Sequence, residues 1–195
     1  MYYLNIMSKK ILLFIGVLFF PLSCFSQDST LFYDSESEKW GLSFETYKQL
    51  RINEGILLNS LRAEETPWAL LETQFPDEYS TRTDTTFIET LRTDNLDGLR
   101  VFYTNYEDSK KLRASRLEID SKKFFLSTYL FELRIGTPIN GLFPNTDKAL
   151  YSNRNFIVLY PRTSSNKYRS APAIGLSLDS ETKKITKITV TFWSL

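Results

Sequence analysis

The sequence has no histidine and a single cysteine, Cys24, among its 195 residues. Histidine is the commonest general base in enzymes and, with cysteine, the usual ligand of zinc and most other transition metals. Their absence excludes a Ser-His-Asp triad, a Cys-His dyad and an HExxH zinc helix. Carboxylate chemistry, a Ser-Lys arrangement and hard-cation binding by oxygen ligands remain available. We predict neither a cofactor nor a metal.

The first 26 residues have the order of a secretory signal peptide. Lys9 and Lys10 precede an apolar run from Ile11 to Phe20, and small residues follow the run. The run is about half as long as the ~20 residues needed to span a bilayer, and Pro21 ends it. We therefore predict an exported protein of the bacterial envelope, periplasmic or extracellular.

Two processing sites compete near the end of this segment. Cleavage after Ser26, which we favour, places Cys24 at position −3 and leaves Gln27 as the new N-terminus. The alternative is a lipoprotein whose lipidated first residue is Cys24, although Pro21 stands where the lipobox prefers leucine. The first form is soluble, and the second is tethered to the outer membrane. Since the soluble form has no cysteine, core packing without disulfides would hold its fold together.

Charge is distributed unevenly, although the net charge is only +1. Residues 27–120 contain 19 acidic and 11 basic side chains, whereas residues 121–195 contain 4 acidic and 11 basic. We favour the interpretation that opposite charges help the two halves dock on each other or simply vary between the repeats; the alternative is that the basic half meets an acidic partner such as nucleic acid or an anionic lipid surface. We predict no nucleic-acid partner, because the chain is exported and no basic cluster exceeds two adjacent residues.

Two similar segments begin with Thr-Pro and end with Phe-Pro: TPWALLETQFP at 66–76 and TPINGLFP at 137–144. Each is predicted to be a short helix with Thr66 or Thr137 as the N-cap and proline at the first helical position. Apolar residues then fall on one face, and the second proline stops each helix. The two apolar faces contain Trp68, Leu71, Phe75, Ile139, Leu142 and Phe143.

The similarity extends to the strands around these helices. Residues 100–119 match residues 173–192 as a β-hairpin, with DSKKL and ETKKI aligned at a separation of 73. In each second strand one apolar residue, Leu112 or Ile185, falls on the wrong parity, so we predict a β-bulge or a pairing that begins after the break. The predicted fold is α+β. It has two tandem repeats, 55–120 and 121–195, of strand, short helix and antiparallel strands, with the helices packed on an antiparallel sheet.

This repeated unit resembles the family that includes the outer-membrane assembly lipoprotein BamE (SmpA) and the β-lactamase inhibitor protein. The family's unit has a strand, Gly-x-Thr at a helix start, an apolar residue four positions on and a Gly-x-Pro end. The matching residues are Ile135, Gly136 and Thr137 in the second unit and Thr66, Leu70 and Pro76 in the first. The resemblance covers residues 56–192 and implies a small helical layer on an antiparallel sheet, with two units in tandem. It also implies an alternative function, inhibition of an extracellular enzyme.

Residues 27–54 are predicted to be an N-terminal linker followed by a helix. The acidic and serine-rich run at 34–38 is typical of an exposed linker. A helical spacing and a strand alternation overlap after this run. The helical set is Phe44, Tyr47 and Leu50 with Ser43 as the N-cap, and the alternating set is Trp40, Leu42 and Phe44.

The segment DNLDG at 94–98 is acidic enough to suggest a calcium loop. It does not follow the ligand order of an EF-hand, and asparagine, aspartate and glycine are ordinary turn formers. We therefore predict a hairpin turn at this position.

Tyrosines and arginines in the second half provide the candidate binding surface, because both residue types are favoured in protein interfaces. Its residues are Tyr151, Tyr160, Arg162, Tyr168 and Arg169. We predict an exported, non-enzymatic binding or scaffold protein whose partner is another envelope or extracellular protein, with a glycan as an alternative. A hydrolase that uses carboxylates or a Ser-Lys pair is a further alternative. A membrane partner is predicted only for the form lipidated at Cys24.

Overall fold

The described part of the chain contains thirteen β-strands and five short helices. The structure is a computed structural model that describes residues 31–63, 68–85, 90–105, 112–144, 146–165, 167–169 and 172–192. The strands are β1 (Leu31–Asp34), β2 (Lys39–Ser43), β3 (Arg51–Ile52), β4 (Ile56–Leu57), β5 (Ser80–Thr85), β6 (Thr90–Leu96), β7 (Leu99–Asn105), β8 (Leu112–Ile119), β9 (Phe125–Ser127), β10 (Glu132–Arg134), β11 (Phe156–Arg162), β12 (Ala173–Leu178) and β13 (Ile185–Thr191). The helices are α1 (Phe44–Lys48), α2 (Ser60–Ala63), α3 (Trp68–Gln74), α4 (Ile139–Leu142) and α5 (Ala149–Ser152).

The strands form two sheets. The large sheet has the order β1-β2-β11-β12-β13-β8-β7-β6-β5, and the small sheet has the order β10-β9-β3-β4. Every pairing is antiparallel except that of β2 with β11. The chain thus combines a large, mostly antiparallel sheet with a few short helices, and at this level the prediction of an α+β fold is confirmed. The signal-peptide segment and Cys24 lie outside the described residues.

One side of each sheet supplies the core. Alternate residues of a strand are buried, as in β11, where Ile157, Leu159 and Pro161 are covered while their neighbours are at least partly exposed. The buried side chains of both sheets belong to one cluster, which includes Trp40 in β2 and Leu126 in β9. Full burial of each large apolar side chain contributes roughly 1.5–3 kcal/mol. The opposite, outer side of the large sheet is left to polar, aromatic and basic residues.

The parity breaks in the two hairpins are β-bulges. Ser115 is the extra residue where the register of β8 against β7 shifts, and Thr186 is the extra residue where the register of β13 against β12 shifts. Ala114 and Leu117 are three positions apart and would face opposite sides of a regular strand. The bulge at Ser115 brings both of them to the buried side of β8. The prediction of an irregularity in both strands is confirmed.

The two overlapping patterns near residue 44 are each correct in part, because the strand ends before Phe44 and the helix ends before Leu50. Trp40 and Leu42 lie on the buried side of β2, and α1 begins directly after that strand. Ser43 is the N-cap, since its Oγ accepts a hydrogen bond from the Thr46 amide at 3.1 Å.

Two acidic segments contain turns. Residues 35–38 form the exposed turn between β1 and β2, in the run predicted to be an exposed linker. The hairpin turn predicted in DNLDG is confirmed, because Asp97 and Gly98 connect β6 to β7. Gly98 has a φ of 95°, and a Cβ on it would lie 2.0 Å from the Ser121 Cβ, so this turn requires glycine. Asp94 at the start of the segment is buried in β6.

Helices α3 and α4 lie in the two Thr-Pro segments. As predicted, α3 buries Leu71 and ends before Pro76, while Thr66 lies outside the described residues. The start of α4 is a correction: Pro138, not Thr137, is the N-cap, and no side chain caps the helix.

Backbone bonds to the β12–β13 connection explain this difference. The Thr137 carbonyl accepts a hydrogen bond from the Ile185 amide at 2.9 Å, and Pro138 pairs with Lys184 as an isolated bridge. The Ile139 amide donates to the Lys183 carbonyl at 3.1 Å, so it needs no side-chain cap. These bonds hold the residues before α4 extended and delay the helix by one position.

Candidate functional site

The outer side of β1, β2 and β11 carries a cluster of aromatic and basic side chains. Strand alternation places Phe32, Lys39, Tyr160 and Arg162 on the side that faces away from the core. Gly41 pairs with Phe32 in β1 and with Tyr160 in β11, which aligns the three strands at this point. We define the aromatic–basic face as Phe32, Lys39, Phe44, Tyr160, Arg162, Tyr168 and Arg169.

Each arginine of the aromatic–basic face lies over a phenylalanine ring. The Cζ atom of Arg162 is 4.0 Å from the centroid of Phe32, and that of Arg169 is 4.2 Å from the centroid of Phe44. A guanidinium held on a ring is attracted by the π-electrons and keeps N–H groups free along its rim. The guanidinium groups of Arg162 and Arg169 are therefore positioned to bind a carboxylate, phosphate or sulfate.

Tyr168 joins the loop after β11 to the end of β1. Its hydroxyl donates a 2.7 Å hydrogen bond to Asp34 Oδ2, and its ring centroid lies 5.2 Å from the Lys39 ammonium. The same ammonium lies 5.8 Å from the Tyr160 ring. The bond from Tyr168, followed by that from Ser37 Oγ, lowers the pKa of Asp34 to about 2. Burial, and then the bond to Asp34, raises the pKa of Tyr168, so its hydroxyl stays protonated as the donor.

Gly41 makes room for two of the rings. A Cβ on this residue would lie 2.6 Å from Phe32 Cζ and 3.2 Å from Tyr168 Cε1. Both rings therefore lie directly on the β2 backbone, which a side chain at position 41 would prevent. The glycine thus allows the aromatic–basic face to be flat at its centre.

Charge compensation differs between this face and the centre of the same sheet. At the centre, three basic side chains lie 2.9–3.4 Å from the Glu118 carboxylate, namely Arg100, Lys187 and Arg116. Among the residues that the structure describes, the three basic side chains of the aromatic–basic face have no carboxylate within 4.0 Å. Asp34 balances part of the charge of the face, and within the described residues a net positive charge remains, which attracts anions.

Four of the five residues of the predicted binding surface lie on this face. The fifth, Tyr151 in α5, is only 5% exposed, and its ring packs against Trp40 at 6.4 Å. It therefore belongs to the core on the opposite side of the sheet. The sequence prediction does not include Phe32, Lys39 or Phe44. The alternation in β2 places Lys39 on the outer side, but no local pattern indicates that β2 pairs with β11.

A second concave region lies beside the small sheet. It is an open cleft of about 420 Å³. Its lining includes Lys48, Arg51, Ser127, Thr128 and Tyr129. Phe44 links the cleft to the aromatic–basic face, because the Lys48 ammonium lies 5.3 Å from the ring that also contacts Arg169. Basic side chains thus continue from one region into the other.

The cleft contains the residue types of a Ser-Lys hydrolase but not their arrangement. Such an enzyme needs the lysine within hydrogen-bond reach of the serine. The Lys48 ammonium pairs instead with the Glu45 carboxylate at 2.6 Å, and no hydrogen bond joins it to Ser127 in the described part of the chain.

A buried ion pair lies on the core side of β6. Asp94 is fully buried, and its Oδ1 is 2.9 Å from Arg92 Nε. Arg92 also donates to the Tyr79 hydroxyl and lies over the Trp68 ring, with Cζ 4.4 Å from the centroid. Burial, followed by the charge of Asp94, raises the pKa of Tyr103, whose ring packs against Trp68 at 5.9 Å. The cluster connects α3 with β6 and β7 inside the core.

Within the described ranges, no group of three or more His, Cys, Asp or Glu residues is placed to hold a metal ion. None of the helices described there is long and apolar enough to cross a membrane. No protein family, curated protein or solved structure matches this chain.

Proposed function

We propose that this chain is an exported, non-enzymatic binding protein of the bacterial cell envelope, and that its aromatic–basic face takes an anionic partner. The observation that carries the proposal is the contrast in charge compensation on one sheet. Three cations surround Glu118 at the centre, whereas Arg162 and Arg169 lie over aromatic rings and have no carboxylate within 4.0 Å in the part of the chain that the structure describes. An anionic group of a partner would accept hydrogen bonds from the N–H groups of these two guanidinium groups.

The chemistry of the face favours binding over catalysis. Its nearest carboxylate, Asp34, has its pKa lowered to about 2 by the hydrogen bonds from Tyr168 and Ser37. A general acid or base works best with a pKa near the operating pH. Asp34 therefore orients Tyr168 and balances part of the positive charge, and it does not transfer protons at neutral pH.

We also propose that the chain consists of two tandem units related by an approximate two-fold axis. The pairing registers support this arrangement. Val190 of β13 opposes Leu117 of β8, and Leu126 of β9 opposes Ile52 of β3. The opposed residues are 73 and 74 positions apart, close to the separation of 73 between the aligned DSKKL and ETKKI segments, and Ile52 lies three residues before the predicted start of the first unit. In a two-fold arrangement equivalent residues face each other across the axis.

The strand order agrees with the same axis. Outward from the β8–β13 pair lie β7 and β12 and then β6 and β11, while β4 and β10 flank β3 and β9 in the small sheet. Trp68 of α3 packs against Tyr103, and Phe143 after α4 packs against Trp40 at 4.6 Å, which supports helices packed on the sheet in both units. This is the arrangement implied by the resemblance to BamE-like units and to the β-lactamase inhibitor protein. It favours inhibition of an extracellular enzyme as the second candidate function.

Binding to soluble polyanions tests the proposed function. Polyglutamate and dextran sulfate are the probes, and the double variant Arg162→Gln/Arg169→Gln is compared with Lys122→Gln/Lys148→Gln, which removes two exposed charges elsewhere. We expect the arginine variant to bind at least about tenfold more weakly, because each charge-assisted hydrogen bond contributes about 1.5–3 kcal/mol. The lysine variant should bind like the unmodified chain. Equal losses in both variants, or none in either, would contradict the proposal.

A further inference from the structure

The class of anionic partner can be specified from the extent and the position of the aromatic–basic face. We propose that this face docks on an anionic membrane surface, where the phosphate groups of lipid headgroups bind its basic side chains. The inference rests on the proposed function and identifies the partner of the same site.

The positive surface extends over several elements of the fold. Lys39, Arg162 and Arg169 are spread over β2, β11 and the loop after β11, and neighbouring strands lie about 4.8 Å apart. A single small anion would contact only part of this area. A plane of many headgroups would contact all of it.

The chain enters the fold at the arginine end of the aromatic–basic face. Leu31 pairs with Leu42, which also pairs with Pro161, the neighbour of Arg162. The strand β1 therefore begins at the arginine end of the face, and the acidic turn at 35–38 lies at the other end of the strand. The end that leads to the export segment is thus the positive one.

The candidate lipidation site strengthens this geometry. Cys24 lies seven residues before Leu31, a reach of roughly 25 Å at most for an extended chain. A lipid anchor would add to the basic surface, since two weak signals together attach a protein to a membrane more stably than the reversible binding that either gives alone. Tyr160 and Tyr168 fit the same setting, because tyrosine is enriched at the membrane–water interface.

The experiment is co-sedimentation of the unlipidated exported chain with vesicles of phosphatidylcholine alone or of phosphatidylcholine mixed with phosphatidylglycerol. We expect binding only to the anionic vesicles. Arg162→Gln/Arg169→Gln should lower the partition coefficient roughly 25-fold, about fivefold per arginine. Arg162→Lys/Arg169→Lys should retain most of the binding, because a membrane surface responds to charge more than to a bidentate geometry. Lys122→Gln/Lys148→Gln is the matched control and should bind as the unmodified chain does.

The outcomes separate this inference from the proposed function. If the chain binds polyglutamate through its arginines but does not bind anionic vesicles, membrane docking is wrong and an acidic protein is the partner. If the lysine substitutions at 162 and 169 lose as much vesicle binding as the glutamine substitutions, docking through surface charge is also wrong. The salt dependence of the unmodified chain requires no variant, and vesicle binding that fails to weaken as ionic strength rises overturns the proposal.

Discussion

Tyr168 controls the ionisation of Asp34 through one hydrogen bond. The folded pKa of Asp34, about 2, lies below the ordinary value of 3.8. A carboxylate with a lowered pKa stabilises the fold fully above its unfolded pKa, and the contribution disappears as the pH falls through the folded pKa. The contribution of Asp34 is therefore present above about pH 4 and is lost toward pH 2.

We expect Tyr168→Phe to raise the pKa of Asp34 toward its ordinary value, because the substitution removes the main cause of the shift. The measurement is an NMR titration of the Asp34 carboxyl carbon. Tyr160→Phe is the control, since its hydroxyl makes no hydrogen bond to Asp34 in the described structure. An Asp34 that still titrates near pH 2 in the Tyr168 variant would show that another group causes the shift.

Asp94 and Arg92 stabilise each other within the core. Removing one partner of a buried pair leaves an uncompensated charge, whereas replacing both with apolar residues removes that cost. We expect Asp94→Ala to lower the free energy of unfolding by about 3 kcal/mol. The double variant Arg92→Met/Asp94→Leu should lose clearly less. Urea unfolding measures both, and a double variant as unstable as the single one would argue against an isolated ion pair at this site.

Among the elements, the bulged strand β8 contains one extra residue. Deleting Ser115 would make the pairing with β7 regular, and Leu112 and Ala114 would stay on the core side while Arg113 would stay on the outer side. Because no side chain changes sides, we expect the deletion to lower the free energy of unfolding by only about 1 kcal/mol, through the lost Ser115 hydrogen bond.

The control for this deletion is Ser115→Ala. It keeps the bulge and removes only the 3.1 Å hydrogen bond from Ser115 Oγ to the Phe102 carbonyl, so its expected cost is about 1 kcal/mol. Thermal or urea unfolding compares the two variants. A deletion clearly more destabilising than the alanine substitution would mean that the bulge itself stabilises β8, beyond the Ser115 hydrogen bond.

Local patterns predict those elements that depend on local chemistry. The bulges follow from the misplaced parity of Leu112 and Ile185, the turn at Gly98 follows from its residue types, and the cap at Ser43 follows from helical spacing. The start of α4 is not predictable in the same way, since the carbonyl of Lys183 satisfies the Ile139 amide from a distant part of the sequence.

The aromatic–basic face is only half predictable for the same reason. Arg162 and Tyr168 lie close in sequence, so a local cluster indicates them. Phe32 and Lys39 join them only because β2 pairs in parallel with β11, a contact that no spacing in the sequence encodes. Tyr151 is misassigned because an exposed and a buried tyrosine look alike in a sequence, and its helix places it against Trp40.

At the scale of the whole molecule, the two proposed units meet through strands that face their own counterparts. A fragment of residues 121–195 would expose β13 and β9 as unpaired edges, and each edge is able to pair with its own copy. We expect this fragment to form dimers in sedimentation equilibrium. Its 11 basic and 4 acidic residues repel between copies, so dimers should increase with ionic strength.

Thr189→Lys is the control for this fragment, because it places a charge on the outer side of β13 beside the centre of the expected strand pair without entering the core. The variant should remain monomeric at concentrations where the unmodified fragment dimerises. A fragment that stays monomeric and folded without the substitution would contradict a self-complementary edge.

The pairing of Val190 with Leu117 also bears on how the chain evolved. On the proposal of tandem units, an ancestral half-length protein would have formed a symmetric homodimer through this strand, and gene duplication with fusion would have made the pairing permanent. Fusion would have freed each copy from symmetry. The second copy would then have gained the parallel strand β2 beside β11, while the polar, antiparallel strand β5 lies in the corresponding place beside β6 in the first copy.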